Sequence, residues 1–156
     1  MRKINFLIKL MKEEKLQIVE PSEEITNSYI KKSESNIISA KILLENDKLE
    51  EGVALTYYSM HHMLTALLRK IGIKCENHGA SIILMKELFE LDNSDISYAK
   101  SERVDKQYYT DFSITKIEVV EDMRKAELFN SMLLDFISKL NNVNINKYRE
   151  KFMGLV

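Results

Sequence analysis

The stretch Val53-Ala-Leu-Thr-Tyr57-Tyr58-Ser-Met60-His61-His62-Met-Leu64-Thr65-Ala-Leu67-Leu68-Arg69-Lys-Ile71 decides the fold. Within it Val53, Tyr57, Met60, Leu64, Leu67 and Ile71 follow at intervals of 4, 3, 4, 3 and 4. That spacing lines one side of an α-helix with apolar side chains, a seam that packs against antiparallel neighbours in a bundle. It predicts a helix from about Leu49 to Ile71, stopped by Gly72 in the left-handed position of a C-terminal cap.

Upstream, Pro21 followed by Ser22-Glu23-Glu24 reads as a helix start, with Ser22 as cap and two carboxylates at the positive end of the helix dipole. The helix runs to about Asn46 with Ile25, Tyr29, Ile30, Ile37, Ala40, Leu43 and Leu44 inward, and Asp47-Lys48 is the turn. Residues 1–20 form an amphipathic N-terminal segment. Downstream, a shorter helix opens at Asn77 and presents Ile82, Ile83, Met85, Leu88 and Phe89. Residues 94–111 follow two capping residue types, Ser94 and Asp95, and suit a helix of weak amphipathicity. Thr115-Lys-Ile-Glu118 has the form of a capping box, with Ile114 and Val119 at the positions of a hydrophobic staple. The long helix it opens carries Met123, Ala126, Phe129, Leu133, Phe136, Ile137 and Leu140, and residues 141–156 are a tail with a short helix from Asn144.

Composition agrees with helices. Four Gly and one Pro in 156 residues leave little of the turn punctuation that many short strands need. With 45% apolar and 30% charged residues the chain is expected to fold as one soluble domain over 1–156, an all-α bundle of about five helices. The basic start has Lys9 and Lys12 inside its apolar run, so neither a signal peptide nor a membrane span is expected. A cytoplasmic protein is the expectation. The formal net charge of −1 means that any nucleic-acid contact must come from a local surface.

On a wheel of 100° per residue, Tyr58, His62, Thr65 and Arg69 fall together opposite the seam. A planar ring, an imidazole and a guanidinium from one surface can stack on bases and hold phosphates. A solvated face has the same pattern, and charge patterning alone favours that reading. His61 lies about 80° from the seam centre, a boundary position, and adjacent His61 and His62 diverge too far to grip one metal ion. His78 supplies either a site imidazole or merely the first turn after Asn77. Cys75-Glu-Asn-His78 has no second ligand pair elsewhere, so neither a metal nor another cofactor is expected. Arg103 and Gln107 are four apart with Tyr108 and Tyr109 next. They suit phosphate and base contacts, or pack as bundle tyrosines, the reading preferred for Tyr109 and Phe112. There is no Gly-rich phosphate loop, nucleophile elbow or convincing carboxylate pair, which leaves kinase and ordinary hydrolase readings without support.

Ala54-x-x-Tyr57-Tyr58-x-Met60-x-His62-x-x-x-Ala66-Leu67-Leu68, then Gly72-Ile73 and His78, resembles the central signature of prokaryotic HEPN-domain proteins. Ser39-Ala40-Lys41-x-Leu43-Leu44 upstream, and Arg103 with Tyr108 downstream, resemble the family's flanking helices, so the likeness covers about residues 5 to 140. The resemblance implies an up-and-down helical bundle that commonly dimerises, with members that are ribonuclease toxins encoded beside a small nucleotidyltransferase. Carried over by position, it makes His62, His78 and Arg103 candidate catalytic residues. Tyr58, Thr65, Arg69, Gln107 and Tyr108 become candidates for RNA or nucleotide contact. The chain departs from catalytic relatives in having no Arg followed, after four to six intervening residues, by a His, in Gln107 in place of an Asp, and in His61 where an aromatic is usual. Two functions stay open: a metal-independent RNase toxin acting as a homodimer, or a non-catalytic helical module that docks a nucleotidyltransferase or another protein.

Overall fold

The computed structural model describes residues 1–108 and 113–156, with side chains throughout except at 104–108. Its elements are α1 (Arg2–Lys12), β1 (Leu16–Ile18), α2 (Glu23–Glu45), α3 (Leu49–Lys70), β2 (Ile73–Cys75), α4 (His78–Glu87), α5 (Ser94–Tyr108), α6 (Lys116–Ser138) and α7 (Asn142–Leu155). The all-α bundle is confirmed, and four of its helix starts obey the local chemistry of their caps. Ser22 Oγ accepts from the Ile25 amide, and Asn77, Thr115 and Asn141 accept in the same way from Ala80, Glu118 and Asn144. Asn141 and Asn144 complete a reciprocal capping box, so the last helix starts at Asn142, earlier than its apolar residues suggest. Asp47 takes a positive φ of 57° in the α2–α3 turn, a conformation that Asp tolerates.

Helix α3 is the centre of the molecule. The predicted seam is buried, and Tyr57, Leu64, Leu67 and Ile71 are inaccessible to solvent. Burial continues around the helix through Gly52, Thr56, Ser59, His61, Met63 and Leu68, because α2, α5 and α6 all pack on it. A helix covered on several sides has no broad solvated face, so the surface opposite the seam is enclosed as well.

The contact of α2 with α3 corrects the apolar row read from α2. Its buried residues are Thr26, Ser33, Ala40 and Leu44, whereas Ile25, Tyr29, Ile30 and Ile37 are only half-buried. Small side chains here let the helices approach, and their hydroxyls are satisfied across the contact. Ser33 Oγ donates to the Ser59 carbonyl at 2.7 Å, Ser59 Oγ donates back to the Ser33 carbonyl at 3.0 Å, and Asn130 Nδ2 from α6 donates to Ser59 Oγ at 2.7 Å.

Both ends of the chain join the core. Leu7, Leu10 and Leu16 from the N-terminal segment and Ile145 and Phe152 from α7 are buried in one cluster with the α3 seam. The sequence does not foretell the antiparallel pair β1–β2, which matches Leu16 with Cys75, Gln17 with Lys74 and Ile18 with Ile73. Gly72, at φ 79°, reverses the chain between α3 and β2. Arg149 of α7 locks that corner: Nη1 donates to the carbonyls of Val19 and Ile71, both at 2.9 Å, and of Gly72 at 3.2 Å.

Candidate nucleic-acid cleft

The half of α3 that carries Tyr58, His62, Thr65 and Arg69 opens onto a cleft of about 370 Å³. Helix α2 supplies Tyr29 and Lys32 to it, and the β2–α4 corner supplies Lys74, Cys75, Glu76 and His78. All four residues of the predicted stripe are half-buried, so they line a recess and are not a solvated face. The β1–β2 pair fixes where the cleft ends, since it holds β2 and thus the start of α4 beside α3.

The structure brings the three histidines together. His61 and His78 stack with ring centroids 3.6 Å apart and planes 22° apart, and His61 and His62 centroids are 6.0 Å apart. His61 is 8% exposed and forms part of the cleft wall, which corrects its reading as a boundary residue. Its position four after buried Tyr57 and three before buried Leu64 is the signal that places it on an inward row. The Tyr57 hydroxyl lies 2.8 Å from His78 Nδ1, and His62 Nδ1 lies 2.7 Å from Asn36 Oδ1 of α2. Asn36 was not singled out from the sequence.

Arg103 reaches the same cluster from α5. Its guanidinium lies over the Tyr58 ring at 5.0 Å and the Tyr57 ring at 5.6 Å, distances at which a cation is attracted by the ring face. Lys32, Arg69 and Lys74 line the cleft with Glu76 as the carboxylate among its lining residues, which gives the recess a local excess of cations in a chain of net charge −1. The Nε atoms of Arg69 and Arg103 and Nδ1 of His61 are buried without a hydrogen-bond partner among the described residues. Thr65 differs from expectation, because its hydroxyl donates to the His61 carbonyl at 2.9 Å and leaves only acceptor capacity for a ligand. Gln107 and Tyr108 belong to α5 but their side chains lie outside the described residues, as do Tyr109 and Phe112 altogether.

Electrostatics keep the imidazoles neutral near pH 7. Burial lowers His61 to about 3, assisted by His78, His62, Arg103 and Lys100. Burial also lowers His62, with Lys32 and His78 adding repulsion, and lowers His78, with Arg103 and Lys100 adding theirs. Burial pushes the Tyr57 phenol up to about 12, so it keeps its proton. The site therefore offers unprotonated nitrogens beside guanidinium groups, a combination that takes up protons while holding an anion. The in-plane lone pairs of the two face-to-face imidazoles lie in nearly parallel planes, and no three His, Cys, Asp or Glu side chains among the described residues are grouped to hold a metal ion.

Comparison with known proteins gives the family. The HEPN domain profile matches residues 26–136. A UPF0332 protein of Pyrococcus horikoshii is 41% identical over 59 residues, which cover 38% of this chain and 42% of that protein, so under half of its length is matched. A protein of Methanocaldococcus jannaschii named as a candidate toxin is 31% identical over 114 residues, 69% of this chain and 84% of its own. The profile match spans every residue of the cleft from Tyr29 to Arg103, and the chain belongs to the HEPN domain family.

Proposed function

We propose that this HEPN chain is a toxin-like, metal-independent endoribonuclease that works on single-stranded RNA in the α3 cleft. The observation that carries the reading is the convergence of three neutral imidazoles with Arg103 over the Tyr57 and Tyr58 rings. Such a site stacks a base on Tyr58 and seats the phosphate against Arg103 and Arg69. One imidazole accepts the ribose 2′-hydroxyl proton as O2′ attacks phosphorus, and the P–O5′ bond breaks. The departing 5′-oxygen takes a proton from a second imidazole in its charged form. His78 suits the second role, since burial, with Arg103 and Lys100 beside it, lowers its pKa and makes its imidazolium a readier proton donor than a free one. The match to a protein named as a candidate toxin supports the toxin-like role. The homodimer and a nucleotidyltransferase partner follow from the family resemblance, and dimerisation would place two such clefts in one assembly.

The test uses purified protein, RNA and EDTA. Cleavage should persist without divalent ions and fall on the order of 10²- to 10⁴-fold in His78→Ala. RNA left intact with or without divalent ions, together with a His62→Ala strain that grows no differently from the parent, removes the enzyme reading. A second reading, a non-catalytic module that docks a nucleotidyltransferase, is favoured by the absent Arg-to-His spacing of catalytic relatives. RNA degradation abolished by His62→Ala separates the two.

A further inference from the structure

His62 and His78 cannot both supply the same proton step, and the contact of His62 with α2 distinguishes them. An amide oxygen has lone pairs and no hydrogen, so a separation of 2.7 Å between Asn36 Oδ1 and His62 Nδ1 is a hydrogen bond in which Nδ1 carries the hydrogen. A neutral imidazole has one N–H, and Nε2 is then the nitrogen with the free lone pair. Two rings confine the imidazole: Tyr58 with its centroid at 6.3 Å and planes 26° apart, and Tyr29 at 6.0 Å. Asn36 does not line the cleft, whereas His62 does, so the amide acts on the ring from outside the substrate space.

We infer that Asn36 is a positioning residue: its amide oxygen fixes the Nδ1–H tautomer of His62 and leaves Nε2 as the proton acceptor of the cleft. The role rests on the RNA-cleavage reading. In the step it serves, the 2′-hydroxyl proton passes to Nε2 and the O2′ electron pair forms the new P–O2′ bond. The P–O5′ pair goes to the 5′-oxygen, which is protonated by His78. The charged and titratable groups around His62 are Tyr29 and Lys32 from α2, Tyr58 and His61 from α3, and His78 from α4. None of them accepts a hydrogen bond from His62 Nδ1 among the described residues, which leaves the tautomer to Asn36.

The experiment is nitrogen-15 NMR of the His62 ring in the full-length protein, Asn36→Leu and Asn36→Asp, beside RNA cleavage as a function of pH. The expected wild-type spectrum has the proton on Nδ1. Asn36→Leu should move it to Nε2 and lower the cleavage kcat on the order of a hundredfold with KM nearly unchanged, short of the ~10⁴ that a wrong tautomer costs in a serine protease triad. Asn36→Asp keeps the acceptor, so it should retain the Nδ1–H form, restore cleavage and shift the pH profile upward through its negative charge. A wild-type ring protonated on Nε2, or an Asn36→Leu ring unchanged from wild type, overturns the inference. If the tautomer switches as described but no protein cleaves RNA, Asn36 still sets the ring and the RNase reading is what fails. If wild type cleaves and Asn36→Leu cleaves equally well, the positioning role fails while the RNase reading stands.

Discussion

Acid should weaken this protein through His61, and replacing that one side chain should remove most of the effect. The folded imidazole titrates at about 3 against 6.5 for the ordinary group, because it is 8% exposed and pressed against His78. Between these values the unfolded chain binds a proton that the folded chain refuses, so stability rises with pH across the window and is lost as pH falls. A gap of this size corresponds to roughly 5 kcal/mol in full, of which roughly 3 kcal/mol has gone by pH 4.5. That is a large fraction of the ~5–15 kcal/mol that holds a domain together. His61→Phe keeps an aromatic ring against His78 and cannot be protonated. Burial, Lys32 and His78 lower His62, and burial, Arg103 and Lys100 lower His78; His61 is a cause of neither shift, so their contributions fall alike in both proteins. Urea unfolding at pH 7.5 and at pH 4.5 reads the difference. With ~1–3 kcal/mol per molar denaturant, the wild-type midpoint should drop about 1–3 M further than that of His61→Phe. Midpoints that fall in parallel would refute the claim that packing holds His61 neutral.

Gly72→Ala should lower stability by at least about 1–3 kcal/mol in thermal melts, because the residue sits at φ 79° and an added Cβ would meet Arg149 Nη1 and the Val19 carbonyl. Ser59→Ala removes a hydroxyl that bonds both Ser33 and Asn130, and should cost about 1–3 kcal/mol by leaving Asn130 Nδ2 without its acceptor, measured by urea denaturation. Arg69→Ala and Arg103→Ala should each reduce the salt slope of single-stranded RNA binding by about 1, as expected when a phosphate contact is lost, and an unchanged slope would place the backbone elsewhere. Cleavage should have a pH optimum displaced to the acid side of the ordinary imidazole range, since His62 and His78 are both lowered. A kcat/KM profile centred above that range would contradict their assignment as base and acid.

Sequence alone determined the helical segments that follow residue 20 and which face of α3 is core, while residues 1–20 read only as an amphipathic segment and hold α1. Caps such as Ser22, Asn77 and Thr115 act within one turn of chain, and the Val53-to-Ile71 spacing is a property of a single helix, so both are readable without knowing any neighbour. The stripe of Tyr58, His62 and Arg69 was legible for the same reason, although its enclosure was not. Only the tertiary structure decided that His61 stacks on His78, that Asn36 meets His62, and that Ser33 and Ser59 exchange hydrogen bonds. Each of these contacts joins residues on different helices, and depends on the relative slide and rotation of two rods. That register is set by how whole surfaces pack, with α2, α5 and α6 around α3 and the β1–β2 pair anchoring the start of α4.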